Sequence, residues 1–236
     1  MRRRKDDSEQ TRNAILDAAE IGFCDRGYAA TTLEMISRAA GVTRGAFYWH
    51  FRDKAELLAA LHARILLPQE QILAAIADPD GEQDPLELLS CAGIEALRQF
   101  EVDESRQRMF RIMSDLGTGP EGREVQSRLD GELRGLTRRI MQRARDQGLL
   151  HRDFTPHEAA VFVQVTFIGL LGEWLRSDKG FPLAGFGEKL VRRQLAVLRA
   201  DGGGWADAGG AGPRDPPGRG QAAAQFSAGT AALLPD

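Results

Sequence analysis

Residues 40–54 read Ala40-Gly41-Val42-Thr43-Arg44-Gly45-Ala46-Phe47-Tyr48-Trp49-His50-Phe51-Arg52-Asp53-Lys54, and this run decides the fold. Gly41 can end a helix, and Thr43 carries a hydroxyl suited to cap the next one. Phe47 and Phe51 recur at the four-residue spacing of one helix face. Upstream, Thr31-Thr32-Leu33-Glu34 fits a capping box in which the Thr31 hydroxyl and the Glu34 carboxylate satisfy orphan backbone donors. The helix it opens carries Leu33, Ile36 and Ala40 inward and stops at Gly41. Two short helices joined by a turn of about three or four residues containing glycine are the sequence form of a helix-turn-helix.

Outward from this run, Ser8 to Arg26 reads as a helix with Ile15, Ala18, Ala19, Gly22 and Phe23 on one stripe, and Gly27 ends it. A fourth helix starts at Asp53 and carries Leu57, Leu58, Leu61, Ile65 and Leu66 toward Pro68 or beyond. After the break Asp78-Pro79-Asp80-Gly81, helices are predicted near 85–100, 105–116, 121–147, 156–176 and 186–199. Thr155-Pro156-His157-Glu158 combines a capping box with proline at the first helical position. No alternating run bounded by turns suggests a sheet. The expected class is all-α.

The chain has 236 residues, 42% of them apolar and 28% charged, with a formal net charge of -3. That length buries a core without disulfide or metal staples, and that charge excludes a uniformly basic nucleic-acid coat protein. Only Cys24 and Cys91 are present, and the charged start Met1 to Asp7 lacks an apolar segment behind it. The expectation is a reduced, cytoplasmic protein without a secretory signal, its thiols buried and inert. The longest apolar stretch, 159–172, is interrupted by Gln164 and falls short of a membrane span. Residues 1–60 carry ten basic against nine acidic side chains, with Arg2 to Lys5 as a separate basic arm. From Asp201 onward, 22 of 36 residues are Gly, Ala or Pro without apolar periodicity, which predicts a disordered tail.

The chemistry of the central run suits a major groove about 12 Å wide, which admits small or hydrogen-bonding leading residues. Thr43, Arg44, Gly45 and Ala46 meet that requirement. Arg44 can reach a guanine edge or a phosphate, and Gly45 permits close approach of backbone to DNA. Tyr48, Trp49 and His50 are consecutive and cannot share one core stripe, whereas Phe47 and Phe51 suit a core with Phe23 and Ile36. Amphipathic packing remains open for Tyr48 and Trp49, a structural role for His50, and a solvated side chain for Lys54.

With its flanks Thr11-Arg12, Phe23, Gly27, Thr31-Thr32 and Ile36, this segment resembles the TetR family of bacterial transcriptional regulators, most closely the AcrR-type repressors of multidrug efflux operons. The match extends over roughly residues 8–66; Ser37 departs where the family usually has alanine. The resemblance implies a basic arm at 1–7, a DNA-binding domain at 8–66 and an effector-binding and dimerisation domain at 67–200. It implies DNA contacts from Thr32, Thr43, Arg44, Gly45, Ala46, Tyr48, Trp49, His50 and Lys54, the lysine on a phosphate. It further implies a homodimer on a pseudo-palindromic operator, formed through helices 121–147 (Val125, Leu129, Leu133, Leu136, Ile140) and 156–176, and release by a hydrophobic small molecule. Ile65, Leu66, Cys91, Met109, Phe110, Met113, Phe162 and Val165 are candidate pocket residues, with ordinary core packing as the alternative for each. Regulation of a catabolic or lipid operon is a second reading and an all-helical enzyme a remote one. His50, His62, His151 and His157 have no helical metal-site spacing, and no nucleophile motif occurs, so neither metal, cofactor nor catalytic residue is expected.

Overall fold

Apolar spacing and cap chemistry turn each segment into a helix. The computed structural model describes residues 2–116 and 120–200, the side chains of 2–6, 67, 120–125 and 128–130 aside. Within them run α1 (Arg2–Arg26), α2 (Leu33–Ala39), α3 (Arg44–His50), α4 (Lys54–Ile76), α5 (Pro85–Val102), α6 (Glu104–Leu116), α7 (Pro120–Asp146), α8 (Pro156–Arg176) and α9 (Leu183–Leu198). No strand occurs among the described residues, so the class is all-α. The basic arm is the first turns of α1; the side chains of Arg2 to Lys5, Val125 and Leu129, and the whole of 201–236, lie outside the described residues.

The caps explain the boundaries. Gly27 sits at φ 81° after α1, its N–H donating to the Phe23 carbonyl at 3.1 Å. Thr155 and Glu158 form the expected capping box on α8, and Asp53 caps α4. At α2 the pattern is offset by one residue. Thr32, not Thr31, accepts the Met35 N–H, while the Thr31 hydroxyl donates to the Gly22 and Gly27 carbonyls at 2.8 Å and ties α2 back to α1. Pro68 lies inside α4 and has no N–H for the Arg64 carbonyl, so the helix lacks one main-chain bond there.

Two cores result. The lower one joins α1 to α4 with α6: Phe23, Ile36, Phe47, Phe51, Leu57, Leu58 and Leu61 meet Met109, Ile112 and Leu116. The upper one joins α5, α7, α8 and α9 with the end of α4, through Leu73, Leu97, Ile140, Leu171, Trp174 and Leu195 among others. At Gly187 a Cβ would lie 2.5 Å from Leu97 Cδ1, so glycine lets α9 approach α5. By length and composition α8 could cross a membrane, which the Gln164 interruption had argued against; its buried Ala159, Ala160, Leu170, Leu171 and Trp174 make it a core helix of this fold. Cys24 is half-buried and Cys91 exposed, so neither is the fully buried thiol expected. Cys91 falls on the exposed side of α5.

Candidate nucleic-acid interface and effector cavity

The α2-turn-α3 unit is anchored by Phe47 and Phe51, both buried, and that anchoring decides what faces out. Tyr48 and Trp49 follow Phe47 by about 100° and 200° around the helix and emerge from the surface. Trp49 is 82% exposed, which rules out core packing for it. Tyr48 is exposed, its ring edge-on to Phe47 with centroids 5.7 Å apart, and the Arg44 guanidinium lies 5.6 Å above it. Thr32, Thr43, Arg44 and Gly45 are exposed and Ala46 and His50 half-buried, so eight of the nine expected DNA-contact residues lie on the outer side of this unit. The Thr32 and Thr43 oxygens accept the Met35 and Ala46 N–H groups at 3.2 Å, leaving each hydroxyl proton to give. Burial, and then the Arg12 guanidinium, push His50 below its ordinary pKa, so it is neutral at physiological pH. Arg12 itself, stacked 5.2 Å above the Phe51 ring, is an exposed cation beside α3 that helical pattern alone gave no reason to single out.

Lys54 is the ninth, and it points elsewhere. Its Nζ donates to the carbonyls of Tyr28 at 2.7 Å and of Ala29 and Thr31 at 3.3 Å, and lies 4.3 Å above the Tyr28 ring. The lysine pins the first turn of α4 to the loop after α1. An ammonium satisfied by three main-chain carbonyls has no donor left for a phosphate.

An ion cluster ties α1, α4 and α6 together at the edge of the lower core. Glu20 of α1, with its side chain 5% exposed, accepts from Arg64 of α4 at 2.9 Å and from Arg108 of α6 at 2.7 Å. Arg64 also bonds Asp17 at 2.7 Å. At the far end of α4, the buried Arg143 of α7 donates to the carbonyls of Ile76 and Gly81 at 2.6 Å.

A cavity of about 160 Å³ opens in the upper core. Gln69 and Leu73 of α4, Leu89 and Gly93 of α5, Leu133 and Thr137 of α7, Phe167 of α8 and Leu195 of α9 are among its walls. None of the eight residues expected in a pocket lines it. Ile65 and Met109 are sealed in the lower core, with Leu66 and Met113 against it, because α6 packs on α1 and α4. Phe110 meets Phe100 in the upper core, and Cys91, Phe162 and Val165 face outward. The exposed apolar side chains cluster instead on α8 (Val161, Phe162, Val165, Ile168) and α9 (Phe186, Val197). On α7, Leu136, Ile140, Met141 and Ala144 face the core, while Gly131, Glu132, Arg134, Arg138 and Arg139 are exposed.

Residues 15–61 match the family described as bacterial regulatory proteins, tetR family. The chain is 33% identical over 204 residues to the HTH-type transcriptional repressor BepR of Brucella suis biovar 1 (strain 1330), covering 85% of this chain and 97% of that one. To the HTH-type transcriptional regulator AcrR of Shigella flexneri it is 29% identical over 203 residues, 84% of this chain and 91% of that one. The structure of SmeT with triclosan superimposes with a TM-score of 0.73 at 33% identity, covering 88% of this chain and 99% of that chain. SmeT is described as the repressor of the Stenotrophomonas maltophilia multidrug efflux pump SmeDEF. With matches that span both cores and an exposed helix-turn-helix below them, the chain belongs to the tetR family of bacterial regulatory proteins, as a transcriptional regulator of AcrR type and not an enzyme.

Proposed function

We propose that this protein is a cytoplasmic, ligand-responsive repressor of a multidrug efflux operon. A homodimer binds a pseudo-palindromic operator and a hydrophobic small molecule in the cavity releases it. The observation that carries this reading is α4. Its first half, Leu57, Leu58 and Leu61, is fixed in the core that holds the helix-turn-helix, and its second half, Gln69 and Leu73, is wall of the cavity. A molecule filling that cavity therefore pushes on the element that positions α3. Thr32, Thr43, Arg44, Gly45, Ala46, Tyr48, Trp49 and His50 form the reading surface; Lys54 supports it from behind.

The exposed apolar faces of α8 and α9 supply the dimer contact. This reading replaces the expected pairing of 121–147 with 156–176, because the described apolar side chains of α7 from Leu133 to Ala144 are used inside its own subunit. Two copies of α3 related by a two-fold axis read half-sites about one helical turn, roughly 34 Å, apart. Footprinting on the promoter of a neighbouring efflux operon should protect such a paired site, and triclosan should lift the protection. A single half-site bound by a monomer, or protection indifferent to every hydrophobic compound tried, would overturn the reading.

A further inference from the structure

Among the described residues the cavity is lined without a carboxylate; its polar groups are amides, hydroxyls and a guanidinium. Such a wall offers nothing to balance a permanent cation. Gln194 of α9, only 7% exposed, is part of that wall. Its Nε2 donates to the Phe162 main-chain carbonyl at 2.8 Å and to Thr166 Oγ1 at 2.7 Å. The Thr166 hydroxyl gives its own proton to the same carbonyl at 2.9 Å. A carbonyl can only accept, and the threonine has already donated, so both partners demand N–H groups and the orientation of the amide is fixed. Both N–H groups are thereby taken. Oε1 remains, an acceptor that no described residue meets.

We infer that Gln194 is a specificity-determining residue of the cavity, its Oε1 acting as an acceptor of fixed orientation that selects uncharged apolar effectors carrying a hydroxyl or N–H donor over the same molecules with that donor blocked. The inference rests on the effector reading proposed above. When an apolar ligand displaces water from the cavity, the unmet acceptor loses its solvation unless the ligand donates to it. A blocked analogue of equal shape therefore binds roughly ten- to a hundredfold more weakly. The same amide ties α9 to α8 through Phe162 and Thr166, so the group that meets the ligand's donor also holds the two helices that carry the exposed apolar face.

The test uses triclosan and its O-methyl ether, in which a methyl group replaces the donor proton, titrated into the full chain without DNA and read by calorimetry. Wild type should bind triclosan at least tenfold more tightly. Gln194→Met, similar in length but without the acceptor, should erase the preference by weakening triclosan, while Gln164→Leu in the same cavity should keep it. Equal affinity of wild type for the pair overturns the inference even if Gln194→Met fails to fold. So does a preference that persists in Gln194→Met or disappears in Gln164→Leu. Equal binding of both compounds leaves the effector reading standing and removes this inference alone; binding of neither removes both.

Discussion

The lower core is sealed by aromatic rings, with Phe23, Phe47 and Phe51 fully buried against leucines, whereas the upper core is built of the same apolar residue types and leaves about 160 Å³ unfilled. The contrast follows from what each half must hold. A reading head needs one fixed geometry, and close packing provides it. A sensor needs interior surface whose missing dispersion contacts an incoming molecule restores, so that binding adds stability by mass action. One chain thus places a rigid and an incompletely filled interior side by side.

Truncation is the harshest way to break that comparison. Phe47→Ala should cost about 3–5 kcal/mol of stability and remove operator binding, whereas Leu133→Ala in the cavity wall, where space already exists, should cost less than about 2 kcal/mol. Urea unfolding of both variants checks this; equal costs would erase the distinction between the cores. Next comes the ion cluster of α1, α4 and α6. Glu20→Ala leaves two guanidiniums facing each other across an emptied buried site and should cost about 3 kcal/mol, with Glu20→Gln intermediate. The readout is the unfolding midpoint together with the ligand concentration that releases the operator.

Smaller effects sharpen the reading head. Arg44→Ala should weaken operator binding by roughly 1–3 kcal/mol per half-site and random DNA much less, if the arginine reads a base. Lys54→Met should lower the thermal midpoint and leave the salt dependence of DNA binding unchanged, because its ammonium holds carbonyls and not phosphate. A flatter salt slope in Lys54→Met would restore the phosphate role. The smallest effect is a pH dependence. Burial pushes His62 below its ordinary pKa, against the opposing pull of Glu132. Between that lowered value and about 6.5 the unfolded chain holds a proton that the folded one refuses, so stability rises with pH across this window. It is complete above about 6.5 and falls as the solution is acidified. His62→Gln should flatten the acid side of the stability curve.

Legibility in the sequence followed range along the chain. Thr43, Phe47 and Phe51 act within two helical turns, so spacing alone placed the cap and the anchors, while the direction of Trp49 stayed open until the fold turned it outward. The α2 cap was displaced by one position because Thr31 and Thr32 carry the same hydroxyl, and only the fold puts Thr31 beside the Gly22 carbonyl. Lys54 reads as a surface lysine until Tyr28, 26 residues earlier, is brought beneath it. The cavity was least legible. Its walls come from α4, α5, α7, α8 and α9, and a leucine beside empty space is indistinguishable in sequence from one in a filled core. Met109 and Met113 suggested an adaptable pocket by residue type, yet α6 turns them toward the other core.

Among the described residues, α4 alone sends side chains both into the reading head's core and into the cavity wall. Heritable change therefore separates into two nearly independent vocabularies, since distant sites without shared partners combine additively. On the proposed function, a substitution at a cavity-wall residue of α5 such as Leu89 changes which molecules the regulator answers to while its promoter stays the same. A substitution on the outer side of α3 moves it to another promoter and keeps the chemical trigger. Changes on α4, or on the α8 and α9 faces proposed as the dimer contact, alter both at once, whereas changes elsewhere in the cavity wall leave a lineage free to retune its chemical sense without rewiring its genome.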